Sequence, residues 1–302
     1  MTTSGPTYDE LALVREAAHE WGLPAERAGS VRRVEVPVSE GRVVSGLLWG
    51  EGPPEVVLLH GGSLNAHTWD VVAMALDRPA LALDLPGHGW SSWRDDRDYN
   101  ARVIAPDVAL AVAALAPSAR GVVGMSLGGL TSLPLARAHP ELVRRVLLVD
   151  ITPGAARPSN AHPPPPGIGN PQVFESFDQL LDITVRGAGD RAPASLRRGL
   201  LHNARRRPDG RWVWRHHRGN GAPTGTVEAN VVLWEDLASL DVPVRLVWGD
   251  RSRIVHQAEV DELAARVPSV EVVCIPGASH SIQGSQPLLL ADQIRDFLAL
   301  PG

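Results

Sequence analysis

Ser126 stands in Gly124-Met125-Ser126-Leu127-Gly128-Gly129, directly after the apolar pair Val122-Val123 and before a helix-forming run. A serine hydroxyl attacks an acyl carbon only when a neighbouring base takes its proton. The Gly-x-Ser-x-Gly spacing between a strand and a helix is the pattern of a sharp nucleophile-bearing turn. Glycines two residues to either side let the strand and helix backbones pass close together while the turn lifts the hydroxyl clear. The same turn puts the Leu127 amide at a helix N-terminus, where it can donate to a developing oxyanion. A second donor is expected from the glycine turn of Leu58-Leu59-His60-Gly61-Gly62-Ser63, with the Gly62 amide favoured. His60 is read there as fixing the loop, not as carrying protons.

The base must be an imidazole, and the chain has 11 histidines. His280, in Pro276-Gly277-Ala278-Ser279-His280-Ser281, follows the last apolar run and precedes the last helical one. That places it on a loop at the sheet edge expected to carry Ser126. His88 is the rival, but its setting in Gly87-His88-Gly89 suits a structural turn. His202, His216 and His217 fall in an inserted region, and His139 precedes Pro140 at a helix end.

Elements able to position these groups are legible in the apolar pattern. Val34, Val36 and Val38 alternate as in a half-exposed strand, Val43–Trp49 follows as a second, and residues 50–54 turn. Val56–Leu59, Ala80–Leu83, Val122-Val123, Val146–Val149, Val244–Val247 and Val270–Ile275 are short runs without alternation. Such runs are expected of parallel strands buried on both faces. Helix-length segments at 68–77, 102–116, 127–139, 256–267 and 285–299 separate them, which implies a parallel sheet flanked by helices. Residues 1–30 are expected to form an N-terminal helical extension, with Leu11, Val14, Ala18 and Trp21 on one face. Residues 152–237 break the rhythm and open with the prolines 163–166; they are expected to form a helical cap. The core is then 31–151 with 238–302.

Composition narrows the chemistry. The chain of 302 residues carries a net charge of −5, so nucleic acid and anionic membranes are poor partners. All 29 basic residues are arginine, which excludes a P-loop and any Schiff-base lysine. The single cysteine, Cys274, rules out an internal disulfide or a thiolate metal cluster, and its apolar run predicts a buried, inert thiol. No cofactor or metal is expected. The N-terminus lacks the features of a secretory signal and no stretch could span a bilayer, so a cytoplasmic protein is expected.

These motifs together resemble the α/β-hydrolase superfamily. The resemblance is carried by His60-Gly61-Gly62 with Trp69, by Asp84-Leu85-Pro86-Gly87-His88-Gly89-Trp90-Ser91, and by Gly124 to Gly129. His139-Pro140-Glu141-Leu142-Val143 and Gly277-Ala278-Ser279-His280 complete it. It implies an α/β fold with an eight-stranded, mostly parallel sheet, helices on both faces, a cap after strand six, and a Ser-Asp-His triad. In most of the superfamily the acid follows the next core strand, three residues after a glycine. Here Ser252 stands three residues after Gly249 and cannot serve as the anion, while Asp250 comes two residues early, a shift of about 7 Å in extended chain. Asp150, in Val149-Asp150-Ile151-Thr152-Pro153, ends the strand adjoining that of Ser126. It resembles the acid of small esterases and thioesterases that carry Asp-Ile-x-Pro after strand six. Asp150 is therefore favoured over Asp250.

The expected activity is hydrolysis of a carboxylic ester, lactone or thioester through an acyl-Ser126 intermediate. Two alternatives stand beside it: carbon–carbon bond hydrolysis of a vinylogous diketone by the same triad, and a ligand-binding module without turnover. Serine at position 126 argues against epoxide hydrolase and dehalogenase chemistry, which similar proteins perform with aspartate. The substrate is expected to be a small molecule. Cap arginines 197, 198, 205, 206, 207, 211, 215 and 218 leave open an anionic one. Trp212 and Trp214 are expected to split between pocket and solvent, and Phe174, Phe177 and Leu180 to pack as a helix face.

Overall fold

Eight strands form one twisted sheet in the order β1-β2-β4-β3-β5-β6-β10-β11. In chain order these are β1 (Val31–Pro37), β2 (Val43–Trp49), β3 (Val56–Leu59), β4 (Ala80–Leu83), β5 (Gly121–Met125), β6 (Val146–Val149), β10 (Val244–Gly249) and β11 (Glu271–Ile275). Only β2 runs against its neighbours; from β4 to β11 every pairing is parallel. The computed structural model describes residue 6 and residues 8–155, 173–186, 192–219 and 227–299.

Helices cover both faces, which is why the inner strands need no polar alternation. On one face α4 (Ala101–Leu115), α5 (Leu127–Ala138), α8 (Val227–Ala238) and α9 (Gln257–Arg266) pack Ile104, Val108, Leu130, Leu133, Leu233 and Leu263 against the sheet. On the other, α1 (Glu10–Glu20), α3 (Asp70–Leu76) and α10 (Pro287–Ala299) bring Val14, Val72, Leu290, Ile294 and Phe297. Asp236 on α8 is fully buried and accepts from Arg102 of α4 and Arg137 of α5, tying three helices of one face together. β11 departs from the expected pattern. As an edge strand with a single neighbour it leaves Val272 and Cys274 exposed, so the cysteine is not the buried thiol its sequence suggested.

The N-terminal residues form α1 and the short α2 (Ala25–Gly29). The buried stripe of α1 is Leu13, Val14, Ala17 and Ala18, and Leu11 is 42% exposed. The helix is thus rotated from the expected face, because Leu13 packs on Phe174, Phe177 and Trp214 of the inserted segment while Val14 faces the sheet.

Within 152–237 the described residues hold α6 (Phe177–Val185), α7 (Pro193–Asn203), most of α8, and a small antiparallel sheet. Its strands are β7 (Val173–Phe174), β8 (Ala204–Arg206) and β9 (Trp212–Trp214), in the order β7-β9-β8. Strands of two or three residues are too short to show a period, so this sheet had no signal in the sequence. Trp212 and Trp214 do not divide between pocket and solvent. Residues i and i+2 share one strand face, and both rings are buried, against Phe177 and Phe174 respectively. The proline run 163–166 lies outside the described residues.

Two glycines set how closely α5 meets the sheet. A methyl group on Gly124 would fall 2.5 Å from the Gly128 carbonyl, and one on Gly128 would fall 2.3 Å from the Leu59 oxygen. Backbone stands in the way at both, so neither neighbour can rotate aside. Gly128→Ala should therefore lower unfolding stability by about 1–3 kcal/mol or more, measured as a lower urea midpoint at unchanged slope. An unchanged midpoint would show that strand and helix have room to part.

Candidate active site

Ser126 occupies the turn between β5 and α5 with φ 50° and ψ −116°, a conformation that a residue with a Cβ adopts only under strain. Its amide donates to the Val149 carbonyl at 3.3 Å, which lashes the turn to the end of β6. One residue on, Asp150 also takes a positive φ of 51°, tolerable for aspartate. That bend turns a fully buried carboxylate toward the neighbouring strand end. His280 Nδ1 donates to Asp150 Oδ2 at 2.7 Å. The other oxygen accepts from the Gly249 amide at 3.0 Å. With Nδ1 so engaged, the proton-accepting nitrogen is Nε2, and among the described residues it has no hydrogen-bond partner. No hydrogen bond joins it to Ser126 Oγ among the described residues either. Free enzymes commonly leave that contact long until substrate closes the site.

Asp250 goes elsewhere. It is exposed and accepts from the Gly277 amide at 2.6 Å, bracing the loop that carries His280 from below. Arg251 adds a backbone bond to Ala278 O at 3.0 Å. The two carboxylates thus take different tasks: Asp150 meets the ring and Asp250 holds its loop.

The loop after β3 lies directly beside Ser126. A methyl group on Gly61 would come within 2.4 Å of Met125 Sδ and 3.2 Å of Ser126 Cβ. Gly62 is exposed, and its amide has no acceptor among the described residues. The Leu127 amide, first in α5, likewise lies beyond the reach of the helix's own carbonyls. His60 is locked: Nδ1 donates to Gly61 O at 2.7 Å and Nε2 accepts from Leu85 N at 2.9 Å. Burial and the neighbouring His88 hold it neutral, well below the usual histidine range. His88 is buried too, and burial lowers it; its Nδ1 donates to Pro86 O at 3.0 Å.

Sequence reasoning missed what anchors this loop. Asp84, named only as part of a motif, is fully buried and accepts from Ala66 N at 2.7 Å, Trp90 N at 3.0 Å and Arg33 Nη1 at 2.8 Å. Arg33 also grips Glu10, and His67 joins Glu10 at 2.7 Å and Asp70 at 2.9 Å. Asn65 reaches the cap by donating to Asn203 Oδ1 at 2.7 Å. The only early signal was the mixture of charges within otherwise apolar segments. The other residue without a sequence signal is Ser252, which cannot serve as an anion but donates its hydroxyl to Asp150 Oδ2 at 2.5 Å.

His67, Asp70 and His202 bring possible ligand atoms within 4.8 Å of one another. Their geometry fits a charge network better than a metal centre. The two imidazoles stack face to face at 3.7 Å and 16°, so one ion cannot lie in both ring planes. Both nitrogens of His67 are taken by carboxylates.

A model of the alpha/beta hydrolase family matches residues 56–293, and the chain belongs to that family. The chain is 40% identical over 298 residues to the esterase Rv0045c of Mycobacterium tuberculosis, covering 96% of each. A crystal structure of that esterase superposes with a TM-score of 0.85 at 38% identity, over 98% of this chain and 99% of that one. A pimeloyl-[acyl-carrier protein] methyl ester esterase of Aeromonas hydrophila is 31% identical, over 83% of this chain and 97% of its own length. Among the described residues no helix is long and apolar enough to cross a membrane.

The His67 network makes stability depend on pH. Burial opposes the imidazolium, but Asp70 and Glu10 outweigh it and push the ring from 6.5 up to about 9. A group raised on folding stabilises fully below its unfolded value and loses that contribution as pH climbs through the folded one. The stabilisation from His67 should therefore be full below pH 6.5 and fade as pH climbs through about 9. The Tm gap between wild type and His67→Gln should narrow over that window; a constant gap would sink the argument.

Proposed function

We propose that this protein is a serine esterase acting on small carboxylic esters, lactones and thioesters included, through an acyl-Ser126 intermediate. The observation that carries the reading is the 2.7 Å pairing of His280 with buried Asp150, at the strand ends adjoining the strained turn of Ser126. The likeness to the esterase from M. tuberculosis and to the methyl ester esterase from A. hydrophila supports it.

In this mechanism His280 Nε2 takes the Ser126 proton as Oγ bonds to the acyl carbon. The amides of Gly62 and Leu127 hold the resulting oxyanion, and each such donor is worth about 10²–10³ in rate. The tetrahedral species collapses, and His280 returns the proton to the departing alkoxide. Water then loses a proton to His280, attacks the acyl-serine, and leaves the carboxylic acid and a restored hydroxyl. Asp150 keeps Nδ1 protonated and stabilises the imidazolium formed in each half.

An anionic substrate is the finer reading, and Arg215 supports it. Among the described cap arginines, Arg198 pairs with Glu20, and Arg207 and Arg211 pair with Asp209. Arg197, Arg205 and Arg206 are exposed. Arg215 is only 9% exposed, yet no carboxylate among the described residues bonds it. Its guanidinium lies over the rings of Tyr8 at 5.0 Å and Trp90 at 4.3 Å. Aromatic faces hold such a cation without spending its hydrogen-bond donors, which leaves them for a carboxylate.

Asp150→Asn should lower kcat by about 10⁴-fold on p-nitrophenyl butyrate, while Asp250→Asn stays within about tenfold of wild type. The reverse order would reassign the acid. Fluorophosphonate should label Ser126 stoichiometrically, and no label would favour a binding module over an enzyme. Arg215→Met should raise KM about tenfold for a p-nitrophenyl hemisuccinate, as expected for one lost charge-assisted bond, and leave the neutral butyrate unchanged. Equal effects on the two esters would remove the anionic reading.

A further inference from the structure

The turn that presents the Gly62 amide is an arch with two feet. The core fixes the first: His60 is locked on both ring nitrogens, and Gly61 is pressed against Met125 and Ser126. Across the span the chain closes on itself through Leu64 N, which donates to Gly61 O at 3.2 Å. Within it Ser63 has a φ of 63°, a conformation that costs a residue with a Cβ free energy and persists only where its surroundings impose it. The second foot is Asn65, only 3% exposed. Both ends of its amide are engaged. Oδ1 accepts from the His67 amide at 2.9 Å and so caps the 3₁₀ turn Ala66–Trp69. Nδ2 donates to Asn203 Oδ1 at 2.7 Å.

Asn203 belongs to the cap and is itself held. It ends α7, beside Ala204 of the cap's apolar cluster, and its carbonyl accepts from the Arg215 amide at 2.8 Å. The core also reaches the second foot, through Ala66 N on Asp84. One attachment leaves the peptide planes beside it free to turn; the Asn65 side chain supplies another, and that one comes from the cap. We propose that Asn203 is a positioning residue: through Asn65 it holds the arch that aims the Gly62 amide, so this half of the oxyanion site is in place only while the cap is seated. The inference rests on the reading of Gly62 as an oxyanion donor. Removing the Asn203 oxygen leaves a buried Asn65 Nδ2 without an acceptor. That amide would turn toward water, abandon His67 N and let the arch relax at Ser63. A donor displaced from the oxyanion loses transition-state stabilisation and little ground-state binding, because the ester carbonyl oxygen does not yet occupy that place. A residue acting in this way moves kcat and leaves KM.

Turnover of p-nitrophenyl butyrate and of the hemisuccinate, counted per fluorophosphonate-labelled serine, tests this. Asn203→Leu keeps the shape and removes the acceptor. Its kcat should fall about tenfold or more on both esters, with KM within about twofold. A butyl trifluoromethyl ketone supplies a readout that a merely structural role would not move. Ser126 Oγ bonds to its carbonyl carbon, His280 takes the proton, and the carbonyl oxygen becomes the anion. Its Ki should therefore rise by the factor by which kcat/KM falls. Asn203→Asp retains an oxygen for Asn65 Nδ2 and should stay within about threefold of wild type. Asn65→Ser keeps an oxygen for His67 N but is too short to reach Asn203. It should match Asn203→Leu, and the double variant should be no worse than either. Wild-type kcat and Ki in Asn203→Leu would overturn the proposal, as would an Asn203→Asp as slow as Asn203→Leu, provided Gly62→Pro, which deletes the amide hydrogen, loses about 10²-fold or more. A fully active Gly62→Pro would instead overturn the oxyanion assignment beneath it. If Asn203→Leu does not fold, as judged by its Tm, Asn65→Ser decides, and wild-type kcat there overturns the proposal.

Discussion

The arrangement turns on one buried charge. A carboxylate removed from water is tolerated only when its oxygens are met by donors, since an uncompensated one costs several kcal/mol. Asp150 is met by three, and they come from three segments: the Gly249 amide at the end of β10, the Ser252 hydroxyl just beyond it, and the His280 ring after β11. Each segment is held where the carboxylate needs it. These bonds hold the strained backbone at Asp150, while the strained turn of Ser126 is held by its own amide's bond to the Val149 carbonyl at the end of the same strand.

Across the sheet edge, a second set of charges does comparable work for the loop after β3. Asp84 fixes Ala66 and Trp90, and Arg33, Glu10 and His67 extend the network to α1. The cap joins it through Asn203 and through Tyr8, which bonds His202 at 3.2 Å. Glu10 is driven down to about 2: burial resists its charge, and His67 and Arg33 overcome it. Leu13 packs with Phe174, Phe177 and Trp214 in the cap's apolar cluster. The N-terminal helix is thus shared between core and cap, which explains why its buried face did not match the stripe read from an isolated amphipathic pattern.

Much of the site was legible because its constraints are local. The glycines around Ser126 report a strand and helix in backbone contact, and that contact needs no knowledge of the rest of the chain. The same holds for the glycine turn of residues 61–62. The choice between Asp150 and Asp250 was of another kind. Sequence spacing could show that neither occupied the usual place for an acid, but the carboxylate that meets His280 depends on the bend at residue 150 and on how β6 and β10 lie together.

By itself the sequence determined the parallel sheet, the turn that presents Ser126, and the loop that presents His280, since each follows from short-range pattern and backbone sterics. Only the tertiary structure decided what Ser252 bonds, which cap arginine is buried without a carboxylate among the described residues, how the cap's short strands pair, and that Cys274 lies on an open edge. The physical reason is common to all four. Hydrogen-bond partners, burial and strand neighbours are fixed by segments far apart in the chain, and no local periodicity records them.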